Sequence, residues 1–335
     1  MLRFVVDENI PFLKGVLEPY AKVSYCSSDF HHCTTAVDEA DALIIRTRTK
    51  CNEELLKNSR VQLILTATIG FDHIDMDYCR KKGIEVATAA GCNARAVLQW
   101  MAAALVHRSK AEGWEPTQKR LGIIGVGHVG SLVQKYAQSW GFHTLCCDPP
   151  REQREHLGFL SAAAVVRQSD ILTFHTPLDD TTHHLGNAAL FAELPDHALI
   201  INASRGAVVD QNALLGGVHP YILDVWEGEP NLNPQLLANA ILATPHIAGY
   251  SAQGKANATM MVVHKLATHF GLPLTNWHPP LEQVTPPLAC PITWRRLCES
   301  IDPFFNIAEE SRRLKANPWD FENIRDTYTY RNEYF

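Results

Sequence analysis

Leu121-Gly-Ile-Ile-Gly125-Val-Gly127-His-Val-Gly130 sets a G-x-G-x-x-G turn directly after an apolar run. Apolar residues then recur at helical spacing: Val129, Leu132, Val133, Tyr136, Ala137 and Trp140. Strand, glycine-rich turn and helix in that order are the signature of a dinucleotide site. The three glycines serve a tight turn, close backbone approach to a pyrophosphate, and close packing of helix on strand. Gly125, Gly127, His128, Val129 and Gly130 are therefore candidate cofactor residues, since a helix N-terminus offers unpaired N–H groups and a positive dipole end. The next strand, His143-Thr-Leu-Cys-Cys-Asp148, ends in an acid eighteen residues after Gly130. A carboxylate there accepts from the ribose hydroxyls of NAD and repels a 2′-phosphate. Arg151 pulls the other way, and Asp148 tips the reading to NAD.

Working outward, strands are expected at 121–125, 143–148, 171–175, 198–203, 221–225 and 241–244. With helices between them they make a doubly wound parallel sheet, assigned to residues 94–252. A similar alternation precedes it, with strands at 3–6, 22–26, 42–46, 61–66 and 85–88. No glycine-rich loop follows its first strand, so residues 1–93 read as an α/β domain without a dinucleotide site. A long helix is expected at about 94–111 and another at about 252–270. The segment 253–275 returns the chain to the first domain, and a proline-rich stretch at 272–291 marks a boundary. Residues 276–335 form a C-terminal segment, mixed in charge and rich in aromatics, in which no chemistry is legible.

Composition fits this frame. With 335 residues, 46% hydrophobic and 20% charged, the chain suits two globular domains with a sizeable core. Disordered and collagen-like classes are excluded. A net charge of −6 excludes a broad basic surface, so neither nucleic acid nor an anionic membrane is expected as partner. Any anion must be held by a few placed groups. The nine cysteines are odd in number and scattered, without a Cys-x-x-Cys pair. No disulfide framework, no zinc site and a reducing cytoplasm are expected. The N-terminal run MLRFVVDENIPF does not read as a signal peptide, and no apolar stretch is long enough to span a bilayer. His31-His32-Cys33 and His183-His184 read as solvated loop residues, and no metal site is assigned. Cys146 and Cys147 read as small apolar fillers on a buried strand.

Three further strand ends carry charged residues: Ile201-Asn-Ala-Ser-Arg205-Gly, Leu223-Asp-Val-Trp-Glu-Gly-Glu229-Pro and Thr244-Pro-His246-Ile-Ala-Gly249-Tyr250. Open α/β sheets bind ligands at such ends. Singly, each residue has an ordinary structural reading. Together they supply what oxidation of a 2-hydroxy acid requires. Arg205 can grip a carboxylate through two parallel hydrogen bonds. His246 can take the hydroxyl proton, and Glu229 can hold its other ring nitrogen. Arg46, at the end of an earlier strand, either meets an anionic substrate or forms a structural ion pair. His175 reads as scaffold near the cofactor.

On these residues the chain resembles the D-isomer-specific 2-hydroxyacid dehydrogenases. The shared pattern is Gly125-x-Gly127-x-x-Gly130, Asn202-Ala-Ser-Arg205-Gly, Asp224-Val-Trp-x-x-Glu229-Pro and Pro245-His246-Ile-Ala-Gly249. Val6-Asp-Glu-Asn-Ile-Pro11, Thr66-Ala-Thr68-Ile-Gly and Ala90-Gly-Cys-Asn93-Ala narrow it to members acting on a phosphorylated 2-hydroxy acid. So do Cys147-Asp-Pro-Pro-Arg151, Asp170-Ile-Leu-Thr-Phe-His-Thr176-Pro-Leu and His246-Ile-Ala-Gly-Tyr250-Ser-x-x-Gly-Lys255. The resemblance implies a Rossmann domain inserted into a flavodoxin-like α/β substrate domain, with a short C-terminal dimerisation segment. It implies Arg205, Glu229 and His246 as catalytic residues. Asp148, Thr176, Ser204, Asp224 and Gly249 are then expected near NAD, and Thr47, Thr68 and Tyr250 near the substrate. Thr47 stands where the family pattern carries serine, which keeps the hydroxyl and adds a methyl. A homodimer is implied as well. Two rival readings share this frame. One is a related dehydrogenase of 3-phosphoglycerate type, opposed by Asp7-Glu-Asn-Ile-Pro11 and Ala248-Gly-Tyr-Ser251. The other is a non-catalytic NAD-sensing scaffold, opposed by the joint presence of Arg205, Glu229 and His246.

Overall fold

The computed structural model describes residues 1–27, 29–280 and 292–335. They divide into two compact units, one of residues 1–93 and 252–280, the other of residues 94–251 and 292–335.

The first unit is built on five parallel strands, β1 (Leu2–Asp7), β2 (Ala21–Cys26), β3 (Ala42–Ile45), β4 (Leu63–Thr66) and β5 (Glu85–Thr88). Their order is β2-β1-β3-β4-β5, the flavodoxin-type doubly wound arrangement. The central strands read Ala-Leu-Ile-Ile and Leu-Ile-Leu-Thr and are buried at every residue, as expected of a sheet covered on both faces. Helix Ala252–Phe270 returns to this unit and lays Ala258, Val262, Val263, Leu266 and Ala267 against Phe4, Val6, Leu63 and Leu65. One expectation fails here. Cys26 and Cys33 are joined in a disulfide, with Cα atoms 6.6 Å apart. A 3₁₀ turn, Phe30–Cys33, capped by the Asp29 side chain, brings the second cysteine back beside the strand end. Spacing alone does not reveal such a local return.

The second unit holds β6 (Arg120–Ile124), β7 (His143–Cys147), β8 (Ile171–Phe174), β9 (Leu199–Asn202), β10 (Tyr221–Leu223) and β11 (Leu242–Ala243). All six are parallel, in the order β11-β10-β9-β8-β6-β7. A single strand, β7, lies on one side of β6 and four lie on the other. The chain therefore reverses direction between β6 and β8, which opens the ligand crevice at their carboxyl ends. At the β7 edge the backbone of Leu160 still donates to Cys146, 2.9 Å, where a further strand would pair. Cys146 and Cys147 are buried on β7, and burial pushes both thiols up to about 11.

Helix Ala94–Glu112 is buried on nearly all faces, which explains its weak amphipathic pattern. Its Trp100 is fully buried and donates to the Thr244 hydroxyl, 2.9 Å.

The C-terminal residues pack on this same unit. Trp294 meets Trp114, Trp140 and Phe142 at ring separations of 5.7–6.3 Å. Trp140 donates to the Ile292 carbonyl, 3.0 Å. Helix Ile307–Ala316 covers the open edge of the sheet: Ser311 Oγ accepts from the Ala243 N–H of β11, 3.0 Å. Trp294→Ala is expected to cost about 3–5 kcal/mol of stability, since it empties the centre of an aromatic cluster. Urea unfolding followed by tryptophan fluorescence checks this; a loss below about 1 kcal/mol contradicts it.

Candidate active site

The three glycines of the turn differ in what surrounds them. Gly125 has φ +87°, and a Cβ there would lie 2.7 Å from the His175 carbonyl oxygen. At Gly130 a Cβ would meet the Gly125 oxygen at 2.0 Å, so the helix seats against the turn only with glycine. Gly127 has no atom within 4 Å of that position. The space above Gly127 is open to a ligand, and helix His128–Trp140 starts beside it with no side-chain cap. Such an uncapped N-terminus is a ready anion site.

Asp148 faces the same turn. Its Oδ2 accepts from the Val126 N–H, 2.8 Å, and its Oδ1 from the Arg151 N–H, 3.0 Å. Arg151 is committed elsewhere: Nε to Glu155, 2.9 Å, and one terminal nitrogen to the Val126 carbonyl, 2.6 Å. A 2′-phosphate would have to compete for that guanidinium. Thr176, at the end of β8, has a buried hydroxyl with no hydrogen-bond partner among the described residues. Its methyl lies 2.8 Å from the Cβ position of Gly125, so the orphan oxygen sits beside the nucleotide turn. Open space over Gly127, a carboxylate at the strand end and this unpaired hydroxyl fit NAD. Burial pushes the neighbouring His175 imidazole down to about 4, and its Nε2 lies 3.1 Å from the Thr173 hydroxyl. It stays neutral near pH 7.

Three loops after β9, β10 and β11 carry the candidate reactive residues Arg205, Glu229 and His246. Asn202 ties the first together, donating to the Arg205 carbonyl, 2.8 Å, and accepting from Ser204 N–H and Oγ–H, 3.0 and 2.8 Å. Gly206 lets this loop press on the next: a Cβ there would lie 2.1 Å from the Trp226 carbonyl carbon. His184 adds a second tie, since its N–H donates to Ala207 and its Nε2 lies 2.9 Å from Glu227 Oε1. Glu227 is the spaced partner that the His183-His184 pair lacks in the sequence.

Asp224 organises the third loop. Its carboxylate, 1% exposed, accepts from Thr244 Oγ, 2.6 Å, and from the N–H groups of Ile247 and Ala248, both 2.9 Å. The His246 N–H donates to the Asp224 carbonyl, 2.7 Å. His246 itself has φ +57°, a left-handed conformation that costs energy for any residue but glycine. Its Nδ1 lies 2.5 Å from Glu229 Oε1, while Glu229 Oε2 accepts from the Trp226 N–H, 3.1 Å. Burial alone would raise the Glu229 carboxyl. The charge and hydrogen bond of His246 and the Trp226 N–H outweigh it and hold the group below the usual carboxylate range. An ionised carboxylate accepts from Nδ1–H, which leaves Nε2 as the proton acceptor. Gly249 and Tyr250 follow in the same loop.

The remaining sequence candidates lie on the first unit, all at carboxyl ends of strands. Arg46 follows β3 and pairs with the buried Asp7 of β1, Nε to Oδ2 3.1 Å. The structural ion pair of the two readings is thus present. Thr47 beside it is exposed, and Thr68 after β4 shares a 2.6 Å hydrogen bond with Thr66.

Sequence reasoning missed the C-terminal grip on the His246 loop. The buried Arg331 guanidinium donates to the carbonyls of Ile247, Ala248 and Ala96 at 2.5–3.0 Å and lies 4.2 Å from the Phe305 ring. Ser251 donates to Glu333, 2.8 Å, and Arg325 Nε donates to the Tyr250 hydroxyl, 2.9 Å. No periodic pattern announces these contacts.

Turn, acid and His–Glu pair define a nicotinamide-dependent dehydrogenase of hydroxy acids. Comparison with known proteins agrees. Residues 87–248 match the model of the D-isomer specific 2-hydroxyacid dehydrogenase NAD binding domain. Erythronate-4-phosphate dehydrogenase of Bacteroides thetaiotaomicron is 41% identical over 99% of this chain and 97% of its own. The enzyme of the same name from Cronobacter sakazakii is 37% identical over 99% and 92%. A D-lactate dehydrogenase of Aquifex aeolicus, solved with NAD and lactic acid, superposes at a TM-score of 0.67 with 27% identity. It covers 81% of this chain and 96% of its own. The chain belongs to the erythronate-4-phosphate dehydrogenase family, within the D-isomer-specific 2-hydroxyacid dehydrogenases. It is an NAD-dependent enzyme of that class.

Gly127→Ala should leave the melting temperature within about 2 °C yet weaken NADH binding at least about tenfold, because its methyl meets only ligand space. Gly130→Ala should lower both. Thermal melts and NADH fluorescence titration separate the two; unchanged NADH affinity in Gly127→Ala refutes the reading of the turn.

Proposed function

We propose that the enzyme oxidises 4-phospho-D-erythronate to (R)-3-hydroxy-2-oxo-4-phosphooxybutanoate, a step toward pyridoxal 5′-phosphate (vitamin B6). The names of its relatives support the substrate, and the 2.5 Å contact between His246 and Glu229 carries the chemistry.

The roles follow from the donors and acceptors in place. Arg205 grips the substrate carboxylate with its planar fork, which fixes the position of C2. His246 Nε2 takes the proton of the C2 hydroxyl as the bond order to oxygen rises. Glu229 holds Nδ1–H, fixes the tautomer and stabilises the imidazolium that forms. Asp224 and Arg331 keep the loop in its strained conformation so that the imidazole needs no rearrangement. Bound NAD supplies the acceptor for the hydride lost from C2. Gly125, Gly127, His128, Val129, Gly130, Asp148, Thr176, Ser204, Asp224 and Gly249 are assigned to its site. Arg46, Thr47, Thr68 and Tyr250 are assigned to the substrate.

We further place the enzyme in the cytoplasm, where NAD and phosphorylated acids are available. No helix among the described residues is long and apolar enough to cross a membrane. We assign it a homodimer through residues 276–335, where Phe304, Trp319 and Tyr330 expose aromatic surface. Light scattering should give twice the 37.4 kDa chain mass; a monomer at micromolar concentration removes the dimer from the account.

His246→Ala and Arg205→Ala should each lower NADH production from 4-phospho-D-erythronate at least about a hundredfold. Near-normal rates in either variant defeat the assignment of roles. The substrate assignment fails if the unmodified enzyme prefers 3-phosphoglycerate or an unphosphorylated acid in the same assay.

A further inference from the structure

The chain carries −6 net charge, and the proposed substrate brings a phosphate as well as the carboxylate assigned to Arg205. Arg46 is already paired with the buried Asp7, so a further cation has to be supplied locally. Most arginines near the nucleotide turn and the His246 loop are already occupied: Arg151 by Glu155 and the Val126 carbonyl, Arg331 by backbone carbonyls. Arg325 differs. It stands in the short C-terminal helix Phe321–Asp326, half-buried, and points at the loop that carries His246.

Among the described residues only its Nε has a hydrogen-bond acceptor, the Tyr250 hydroxyl at 2.9 Å. The guanidinium carbon lies 5.8 Å from the centre of the same ring. Among the described residues no acceptor meets its two terminal nitrogens. Tyr250 is fixed in turn by Tyr328 and Tyr330, which pack edge-on at 6.1 and 5.9 Å. Burial works against the Arg325 charge, and Tyr250, Glu229 and, one turn back on the same helix, Glu322 offset it. The guanidinium thus lies within electrostatic reach of Glu229, the carboxylate that holds His246.

We propose that Arg325 is a substrate-binding residue, its two terminal nitrogens taking the phosphate of a phosphorylated 2-hydroxy acid with the Tyr250 hydroxyl beside them. A planar fork with two uncommitted N–H edges suits phosphate oxygens, and a half-buried site strengthens the pairing over that of a surface lysine. This assignment rests on the reading of the enzyme as a dehydrogenase of phosphorylated acids and names the group that selects the phosphate. It also gives the C-terminal segment a part in substrate choice.

The test compares the unmodified enzyme with Arg325→Ala and Arg325→Lys on 4-phospho-D-erythronate and on unphosphorylated D-erythronate, with NADH affinity as the check on folding. The ratio of kcat/KM for the phosphorylated over the unphosphorylated acid should fall at least about a hundredfold in Arg325→Ala, mainly through KM. Arg325→Lys should recover part of it. An unchanged ratio overturns the proposal, whether both substrates suffer equally or neither does. A second arm reads anion binding without turnover: inorganic phosphate should raise the melting temperature of the NADH-bound protein, and Arg325→Ala should abolish that rise. If phosphate does not stabilise the unmodified protein, or stabilises the variant equally, Arg325 is not the anion site. Phosphate binding that depends on Arg325 in a protein that turns over neither acid upholds the site and defeats the reaction.

Discussion

The buried carboxylate of Asp224 is what the reactive end of this enzyme depends on. It accepts three hydrogen bonds from a single loop and holds it within a few ångströms of β10. A carboxyl group with so little contact with water is tolerable only when its lone pairs are met, and here backbone and hydroxyl donors meet them. What this arrangement secures is His246 in a left-handed conformation that free loop residues avoid. The histidine is already turned toward Glu229, so the proposed acid–base pair needs no rearrangement.

Around that loop the rest of the second unit acts as a clamp. Arg331 binds its carbonyls, so both the N–H and the C=O groups of residues 247–248 are satisfied by side chains. Gly206 and His184 draw the Arg205 loop onto the Glu229 loop. The proposed anion sites are local, as a chain of −6 net charge requires: an uncapped helix N-terminus for the pyrophosphate, and single arginines for the acid. Nothing in this scheme needs a basic surface.

Much of this was legible in the chain. All eleven strands stand where the apolar runs place them, with no end displaced by more than two residues. Parallel strands buried on both faces leave that mark, and the glycine turn leaves another. The Arg205, Glu229 and His246 segments each follow a strand, as the chain suggests, and Glu229 and His246 do meet. The C-terminal grip was not legible. Arg331 reaches residues 83 to 235 positions away, and Ser311 caps a strand 68 positions back. Such pairings obey no local period, so the tail reads as an aromatic and charged stretch without purpose. The Cys26–Cys33 link and the Glu227 partner of His184 escaped for a related reason, since a turn or a neighbouring loop creates each one.

If the Asp224 carboxylate holds the catalytic histidine in place, Asp224→Asn is the sharpest probe. The amide keeps the size but turns one acceptor into a donor facing a loop N–H, and a mismatched buried group costs about 1–3 kcal/mol. The kcat for 4-phospho-D-erythronate, measured on protein shown to be folded by its unchanged far-ultraviolet spectrum, should fall at least about a hundredfold, equivalent to about 2.7 kcal/mol. A kcat within about twofold of the unmodified enzyme would show that His246 is positioned without Asp224, and the account would be wrong at its centre.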